Sequence, residues 1–446
     1  MTYKHYPFDI KITTLSPIHI GNGETLSSTG EYLTTADAIY FLKHEELMAL
    51  LKKEGLFDDY LEKIVHEREH FDFYQTLKDW SINPIGLEER RLPLSQPGLN
   101  PASNNILHLH IKTGKQVYVP GSTFKGLIRH AVLADQLLNN KQMLQEIDAQ
   151  IKRLIEEGKG LWQIKQYWER KERELLEVDL FKMIRCTDSE TVSDSAVCVQ
   201  QIRRQSMTGQ ASESLDWLEE CIAKEQQLAF ILTYYLPEQS RVKNDAFLQH
   251  KNPSKLFELL NAWSATVIQQ EIELVEASKL GEDDRKSMIK QLEQLKQDIF
   301  NANGAYAIAR IGKGKTVFFQ TIMPLLTTTT RQLLIDLIKK EPTQVFPASR
   351  VLTVQDGLMK GWIKMVHHKP ERKLFDNLVS ELKLGTVLKA YWVKAKTVEL
   401  LVNGEYYGNL QLINKYKEKF EQGEQITVIL HQLTKSNTIS QVKLNQ

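Results

Sequence analysis

Alternation of apolar and polar residues marks several segments of the chain as β-strands. Residues 7–20 alternate most clearly, are rich in β-branched residues and end at Gly21. Residues 108–120 and 181–206 contain similar strand-like runs, and residues 227–236 are apolar enough for a buried central strand. These separated runs predict several strands spread over the first half of the chain.

Helical periodicity fills much of the chain between and beyond these strands. Apolar residues recur at steps of three and four over residues 45–80, 123–139 and 255–299, which predicts helices there. Residues 141–177 have a helical period but are dense in charge, which indicates an exposed helical pair broken near Gly158. Strands mixed with helices in two successive halves favour an α+β fold over a doubly wound sheet.

The segment from about residue 385 onward predicts a separate small β module. Four strand-like runs surround a short helical stretch at residues 415–422, in the order typical of an OB-type barrel: residues 386–395, 397–403, 426–433 and 439–444. This segment has eight lysines and five glutamates, a net charge of +3. OB barrels bind single strands through aromatic stacking and a basic groove. The candidate stacking residues, which alternatively fill the core of the module, are Tyr391, Trp392, Tyr406 and Tyr407.

Composition narrows the class of protein. A chain of 446 residues is long enough for two or three domains. Its 57 basic and 56 acidic residues give a net charge of +1, so any nucleic-acid-binding surface must be local. The three cysteines lack the CxxC spacing of a zinc site and are not an even set for a disulfide scaffold. The sequence shows neither a secretory leader nor a membrane-spanning run, so a cytoplasmic location is expected.

The first motif that carries chemistry is VPGSTFKGLIR at residues 119–129. Ser122 is predicted to be the N-cap of the helix that follows. Lys125 lies in the first turn and Arg129 one turn later, where a cation opposes the helix dipole. An anion bound by the free N–H groups and the lysine would make this unfavourable interaction favourable. The motif therefore predicts an anion site, and the alternative is two solvated cations on an exposed face.

The second motif is RIGKGKT at residues 310–316. It is not a Walker A loop, because Ala309 stands where the first glycine is required and Val317 begins a strand-like run instead of a helix. Two glycines that permit close backbone approach, with Arg310 and two lysines nearby, suit a sugar-phosphate chain. The alternative is an exposed hairpin turn.

The histidines do not form a recognisable metal or catalytic motif. His108 and His110 share one face of a strand, but no third ligand has zinc-like spacing, so no metal or other cofactor is expected. His19 and His130 could act as an acid or base, although isolated histidines are usually structural or solvated. No catalytic residue is therefore assigned.

Five motifs resemble those of the RAMP proteins of CRISPR systems. Residues 14–21 (TLSPIHIG) and 120–126 (PGSTFKG) carry the likeness to the superfamily. Within it, the later motifs at residues 185–189, 312–315 and 361–364 resemble the fifth subunit of the type III-A Csm effector complex best. The tail is not a general feature of that family.

The resemblance implies two ferredoxin-like (RRM-like) domains with helical insertions, and the small OB-like barrel that the residue pattern predicts follows them. The expected boundaries are residues 1–226 for the first domain, 227–382 for the second with the glycine-rich loop, and 383–446 for the barrel. It also implies RNA contacts at both basic motifs. The candidate RNA-binding residues are His19, Ser122, Thr123, Lys125, Arg129, Arg203, Arg204, Arg310, Gly312, Lys313, Gly314 and Lys315.

The function expected from this resemblance is that of a non-catalytic subunit that binds crRNA. It would cap the 3′ side of the complex beside the repeating backbone RAMP subunit and a small subunit, and support crRNA 3′-end maturation by recruiting host nucleases. Two alternatives stay open. One is a metal-independent RAMP endoribonuclease that uses His19 or His130 on the crRNA precursor, and the other is a backbone subunit that cleaves target RNA with an aspartate.

Overall fold

The computed structural model describes residues 3–67, 71–95, 106–176, 180–208, 216–237, 252–339, 346–368, 383–394, 396–402, 405–413, 420–433 and 439–445. The helices are α1 (His44–Lys53), α2 (Phe57–Glu67), α3 (Phe73–Asp79), α4 (Gly121–Asn139), α5 (Lys141–Glu156), α6 (Leu161–Leu175), α7 (Ser254–Glu276), α8 (Glu282–Phe300) and α9 (Thr328–Ile338). The strands are β1 (Tyr3–Thr14), β2 (Gly21–Ser27), β3 (Tyr32–Thr34), β4 (Ala38–Leu42), β5 (Glu88–Pro93), β6 (Ile106–His110), β7 (Lys112–Thr113), β8 (Gln116–Val117), β9 (Ile184–Cys186), β10 (Val197–Ser206), β11 (Asp216–Ile222), β12 (Gln227–Pro237), β13 (Tyr306–Arg310), β14 (Ser349–Thr353), β15 (Trp362–His367), β16 (Val387–Lys394), β17 (Thr397–Val402), β18 (Glu405–Gln411), β19 (Gln425–Leu433) and β20 (Ile439–Leu444).

The first large sheet has the strand order β13-β15-β1-β12-β9. The sheet and its helices have the ferredoxin-like order β-α-β-β-α-β along the chain, formed by β1, α4, β9, β12, α7 and β13 with other elements between them. Strand β15 is inserted between β1 and β13 in the sheet. Helix α4 packs on this sheet through Phe124, whose ring stacks on Phe230 of β12 with centroids 4.0 Å apart. The α+β class predicted from the sequence is confirmed.

A second five-stranded sheet has the order β14-β10-β11-β6-β2. Its neighbours are antiparallel except for the parallel pair β11 and β6. Both large sheets take strands from before and after residue 226, where a boundary between two domains is expected. Strand pairing therefore joins the two halves of the chain.

A smaller layer of strands and helices comes before helices α5 and α6 in the chain. Strands β3, β4 and β5 form a three-stranded sheet that packs with α1, α2 and α3. Its own apolar cluster consists of Leu33, Leu42, Leu47, Leu51, Tyr60, Phe71, Phe73 and Leu77. No helix in the described ranges combines the length and apolarity that a membrane span requires.

The C-terminal module is a nearly closed five-stranded sheet with the order β18-β17-β16-β19-β20. The two edge strands approach each other where the Ile413 N–H donates to the Val442 carbonyl at 3.2 Å. Twelve buried residues, all between positions 390 and 444, form its core. Trp392 belongs to that core and its ring centroid lies 5.2 Å from that of Phe420, so of the two roles given for it the structure shows the core role. The side chains of Tyr406 and Tyr407, and most of the predicted helix at 415–422, lie outside the described residues.

Contacts between Cα atoms divide the chain into two compact units. The smaller unit comprises Met1–Asp9, Thr233–Pro253 and His367–Gln446, and the larger one comprises Ile10–Leu232 and Ser254–Val366. In the smaller unit the ring of Phe8 packs edge-on against Tyr234 at 5.1 Å, and the His368 N–H donates to the Asp9 carbonyl at 2.8 Å. The ends of β1 and β12 therefore group with the C-terminal module.

The core of the C-terminal module predicts that residues 383–446 fold on their own. Because all twelve core residues come from the module itself, the isolated fragment should give a β-rich circular dichroism spectrum and a cooperative unfolding transition. Its stability should be low, about 2–4 kcal/mol, since so short a chain buries little surface. A matched Val428→Asp fragment, which places a charge in the same core, should lose the transition. A wild-type fragment without any transition would show that the module needs the rest of the chain.

Candidate nucleic-acid interface

The glycine-rich loop at residues 312–315 is fixed to the segment that follows β1. The Lys313 N–H donates to the His19 carbonyl at 2.8 Å. Gly312 has a φ of +77°, and a Cβ there would lie 2.4 Å from the His19 carbonyl oxygen. Only glycine fits this position, because both the left-handed backbone and the contact exclude a side chain.

The motif at residues 361–364 is bonded to both the glycine-rich loop and the segment that follows β1. The Ile311 N–H donates to the Gly361 carbonyl at 2.8 Å, and the Gly361 N–H donates to the Pro17 carbonyl at 2.9 Å. A Cβ at Gly361 would lie 2.3 Å from the Ile311 carbonyl oxygen. Three motifs separated along the sequence thus form one backbone-bonded cluster.

The motif at residues 119–129 is fixed to the segment at 185–189. The Gly121 N–H donates to the Asp188 carboxylate at 2.8 Å, and a Cβ at Gly121 would lie 2.3 Å from the Cys186 carbonyl oxygen. Helix α4 begins at Gly121 with Pro120 as its N-cap, so the prediction of Ser122 as the N-cap is wrong. Asp188, remote in sequence, accepts an N–H at the helix start instead.

The side chains of this motif differ in their surroundings. Ser122 and Arg129 are exposed, whereas Thr123 and Lys125 are half-buried. The Arg129 guanidinium forms an ion pair with Glu172 of α6 at 3.0 Å. The Lys125 charge opposes the burial that raises the pKa of the Cys186 thiol to about 12. The two cations therefore face different partners, and Arg129 is already partly neutralised.

The lysines of the glycine-rich loop lie at the surface of the same region. Lys313 is exposed and its ammonium lies 3.2 Å from the buried Glu219 carboxylate. Lys315 is half-buried, and this burial lowers its pKa. The charges of Lys315 and Arg129 both act on His130, whose pKa is lowered first by burial. One cation from each predicted basic motif thus influences the same imidazole.

Arg310 contacts the glycine-rich loop from the protein interior. Its side chain is buried and donates from Nε to the Lys360 carbonyl at 2.9 Å and from a terminal nitrogen to the Gly314 carbonyl at 3.0 Å. Its guanidinium also lies over the rings of Phe319 and Trp362, and burial lowers its pKa to about 10. These contacts hold the loop backbone in place.

Residues 317–319 differ from the strand-like run that their sequence favours. Val317–Phe319 form a 3₁₀ turn. The ring of Phe319 packs edge-on against Trp362, with centroids 5.5 Å apart. Burial of the aromatic rings beneath the loop decides the local conformation here, in place of β propensity.

Arg203 and Arg204 point to opposite faces of β10, as neighbours in a strand do. Arg203 forms an ion pair with Asp284 of α8 at 3.0 Å. Arg204 is exposed, and its charge lowers the pKa of Lys313 after the larger effect of burial. Only Arg204 therefore shares the surface of the glycine-rich loop.

A buried ion pair that the sequence reasoning missed lies beneath this surface. Glu219 of β11 and Lys360 are both fully buried and pair with each other. Glu219 also accepts from the Trp217 indole N–H at 2.8 Å. The available signal was the presence of two glutamates in the apolar run WLEECI and two lysines in the run MKGWIKM, since buried charges require partners.

His19 is buried beneath the glycine-rich loop, and its Nδ1 lies 2.8 Å from the Glu220 carbonyl. Burial and the nearby Lys360 charge lower its pKa to about 2, so the imidazole is neutral. Among the described residues, His19, Glu219 and Cys221 bring one potential metal-ligand atom each within 4.8 Å of one another. The Glu219 carboxylate is already neutralised by Lys360, which leaves this trio a poor fit for a cation.

The fold and this surface define an α+β protein with a ferredoxin-like sheet and a glycine-rich loop flanked by basic side chains. A family model of the RAMP superfamily matches residues 11–319, more than half of the chain, and the protein belongs to that superfamily.

Two solved structures share the fold. A chain of the cryo-EM structure of a Csm–crRNA–target RNA ternary complex in a type III-A CRISPR-Cas system aligns with a TM-score of 0.57 at 18% identity. That alignment covers 80% of this chain and 100% of the other. The crystal structure of T. onnurineus Csm5 aligns with a TM-score of 0.52 at 17% identity over 79% and 99% of the two chains. No curated protein sequence matches significantly.

The close approaches at glycine predict strong position dependence of stability. Gly312→Ala and Gly361→Ala should each lower the free energy of unfolding by about 2 kcal/mol or more, because both combine positive φ with a backbone clash. Gly126→Ala in α4 is the control, since its added Cβ meets no atom within 4 Å and should stabilise by about 0.5–1 kcal/mol. Urea unfolding midpoints measure all three. Equal effects would contradict the assigned packing.

Buried neutral histidines predict acid sensitivity. Burial lowers the pKa of His19 to about 2 and that of His110 to about 4. Below about pH 6.5 the unfolded chain takes up protons that the folded protein does not, so each histidine should remove about 1–2 kcal/mol of stability by pH 5. The loss from His110 should level off near pH 4. Urea titrations at pH 7.5 and 5.0 measure this, and His110→Gln should show less pH dependence than His66→Gln, which alters an exposed side chain.

Proposed function

We propose that this protein is the crRNA-binding subunit at the 3′-end side of a type III-A Csm complex. The observation that carries the proposal is that the two basic motifs face one region: the charges of Arg129 and Lys315 both act on His130, and Lys313 of the same loop is influenced by the charge of Arg204 on β10. Membership of the RAMP superfamily and similarity to a chain of a Csm–crRNA–target RNA complex support this assignment.

The RNA would be held through phosphates and backbone shape. Lysine and arginine side chains beside a half-buried glycine-rich backbone position a sugar-phosphate chain without reading base edges. Such recognition suits a subunit that accepts many guide sequences. Its partners would be crRNA, the repeating backbone RAMP subunit, a small subunit, and host nucleases that trim the RNA end.

The subunit would be non-catalytic. His19 and His130 are the acid–base candidates, and burial lowers the pKa of both. An imidazole that stays neutral and enclosed is a poor proton donor at neutral pH. The rival function, a RAMP endoribonuclease, requires one of these histidines to reach the RNA.

Phosphate contacts at the loop predict a smaller salt dependence when its lysines are removed. The Lys313→Ala/Lys315→Ala variant should bind single-stranded RNA at least 10-fold more weakly, with the log–log salt slope reduced by about one for each lost contact. Lys165→Ala/Lys286→Ala removes the same charge from exposed helix positions and should change neither value. A Lys125→Ala/Arg129→Ala variant tests the other motif in the same way. Equal losses in loop and control variants would place the RNA elsewhere.

The absence of catalysis predicts that the purified protein leaves RNA intact. Labelled repeat RNA should remain uncleaved with or without Mg²⁺ or Mn²⁺, as followed on denaturing gels. Cleavage that His19→Ala or His130→Ala abolishes would replace the structural subunit with the endoribonuclease.

A further inference from the structure

Three adjacent strands of the second sheet present polar and aromatic side chains beside the glycine-rich loop. In the strand register Trp217 of β11 lies opposite Ile202 of β10, and Glu219 lies opposite His108 of β6. Residues two apart along a strand share a face, so Arg204, which is two residues from Ile202, lies on the same face as Trp217 and His108. On this face the aromatic side chain of Trp217 lies between the guanidinium of Arg204 and the imidazole of His108.

The geometry at Trp217 is that of a fixed, partly open aromatic surface. Its indole N–H donates to the Glu219 carboxylate at 2.8 Å, which sets the orientation of the ring. The Lys313 ammonium lies 5.5 Å from the ring centroid, and the His108 ring meets it edge-on at 6.5 Å. Trp217 and His108 are half-buried, while Lys313 and Arg204 are exposed.

An RNA strand that follows the loop would carry its bases within reach of this ring. Phosphates bound by Lys313 and Arg204 leave the attached bases free, and an unpaired base gains stability by stacking on an aromatic face. Because every base has such a face, this contact does not depend on sequence. It complements phosphate binding without adding base specificity.

We propose that Trp217 is a stacking site for one unpaired nucleobase of the RNA held by the glycine-rich loop. The proposal rests on the proposed RNA-binding function and adds a named base contact to it. The alternative role of Trp217 is to cover the ion pair between Lys313 and Glu219, with no contact to RNA.

Binding measurements on the full-length protein separate the two roles. Trp217→Ala should weaken binding of a single-stranded RNA about 5- to 100-fold while leaving the salt slope unchanged, because no charge is removed. Trp217→Phe, which keeps an aromatic face, should recover most of the affinity. Trp162→Ala is the control, since Trp162 on α6 is the most exposed tryptophan among the described residues, with 65% of its surface accessible. Wild-type affinity of Trp217→Ala would overturn the proposal.

Photo-crosslinking supplies a readout that does not depend on the folding of a variant. RNA with single 4-thiouridine substitutions should crosslink to the wild-type protein within residues 216–222, as located by mass spectrometry. If Trp217→Ala fails to fold, this experiment decides, and crosslinks confined to other segments overturn the stacking site. Failure of the wild-type protein to bind RNA at low salt would instead refute the proposed function itself.

Discussion

The hydrogen bond from the Lys313 N–H to the His19 carbonyl is the contact on which the glycine-rich loop depends. It brings two backbones together so closely that a single methyl group at Gly312 would lie 2.4 Å from the His19 carbonyl oxygen. Gly361 allows a second close approach, since a Cβ there would lie 2.3 Å from the Ile311 carbonyl oxygen. The loop is therefore shaped by main-chain contacts. Its lysine side chains project from a frame that does not require them, so the cations can be changed without loss of the loop.

Buried charges of both signs lie beneath the loop. Arg310, Arg350 and Lys360 are all enclosed, and the buried glutamates among the described residues are Glu219, Glu220 and Glu271. Charges in a poorly polarisable interior act over longer distances than charges in water. Three enclosed cations thus face three enclosed carboxylates, so the exposed lysines and Arg204 supply the positive charge of this surface. Chains of hydrogen bonds satisfy most of their donors, which limits the penalty of enclosure.

Sequence pattern predicted the elements well and the long-range contacts poorly. The strand runs of the C-terminal barrel and the extent of α4 were readable because periodicity is a local property. Ser122 failed as an N-cap because Asp188, 67 residues away, takes its place at the helix start. The pairing of Glu219 with Lys360 spans 141 residues, so no window of sequence could join them. Motif resemblance supplied the functional hypothesis, and the structure supplied the geometry that links its parts.

The interleaved strand order has a consequence for synthesis on the ribosome. Strand β1 occupies the centre of its sheet, between β12 and β15, so one of its edges stays unpaired until Trp362–His367 has emerged. At about 5–20 residues per second, this wait lasts roughly 20–70 s. During that time the unpaired backbone N–H and C=O groups of this edge can pair with other chains. Early protection of this edge by a chaperone, or fast translation between β12 and β15, would therefore raise the yield of folded protein.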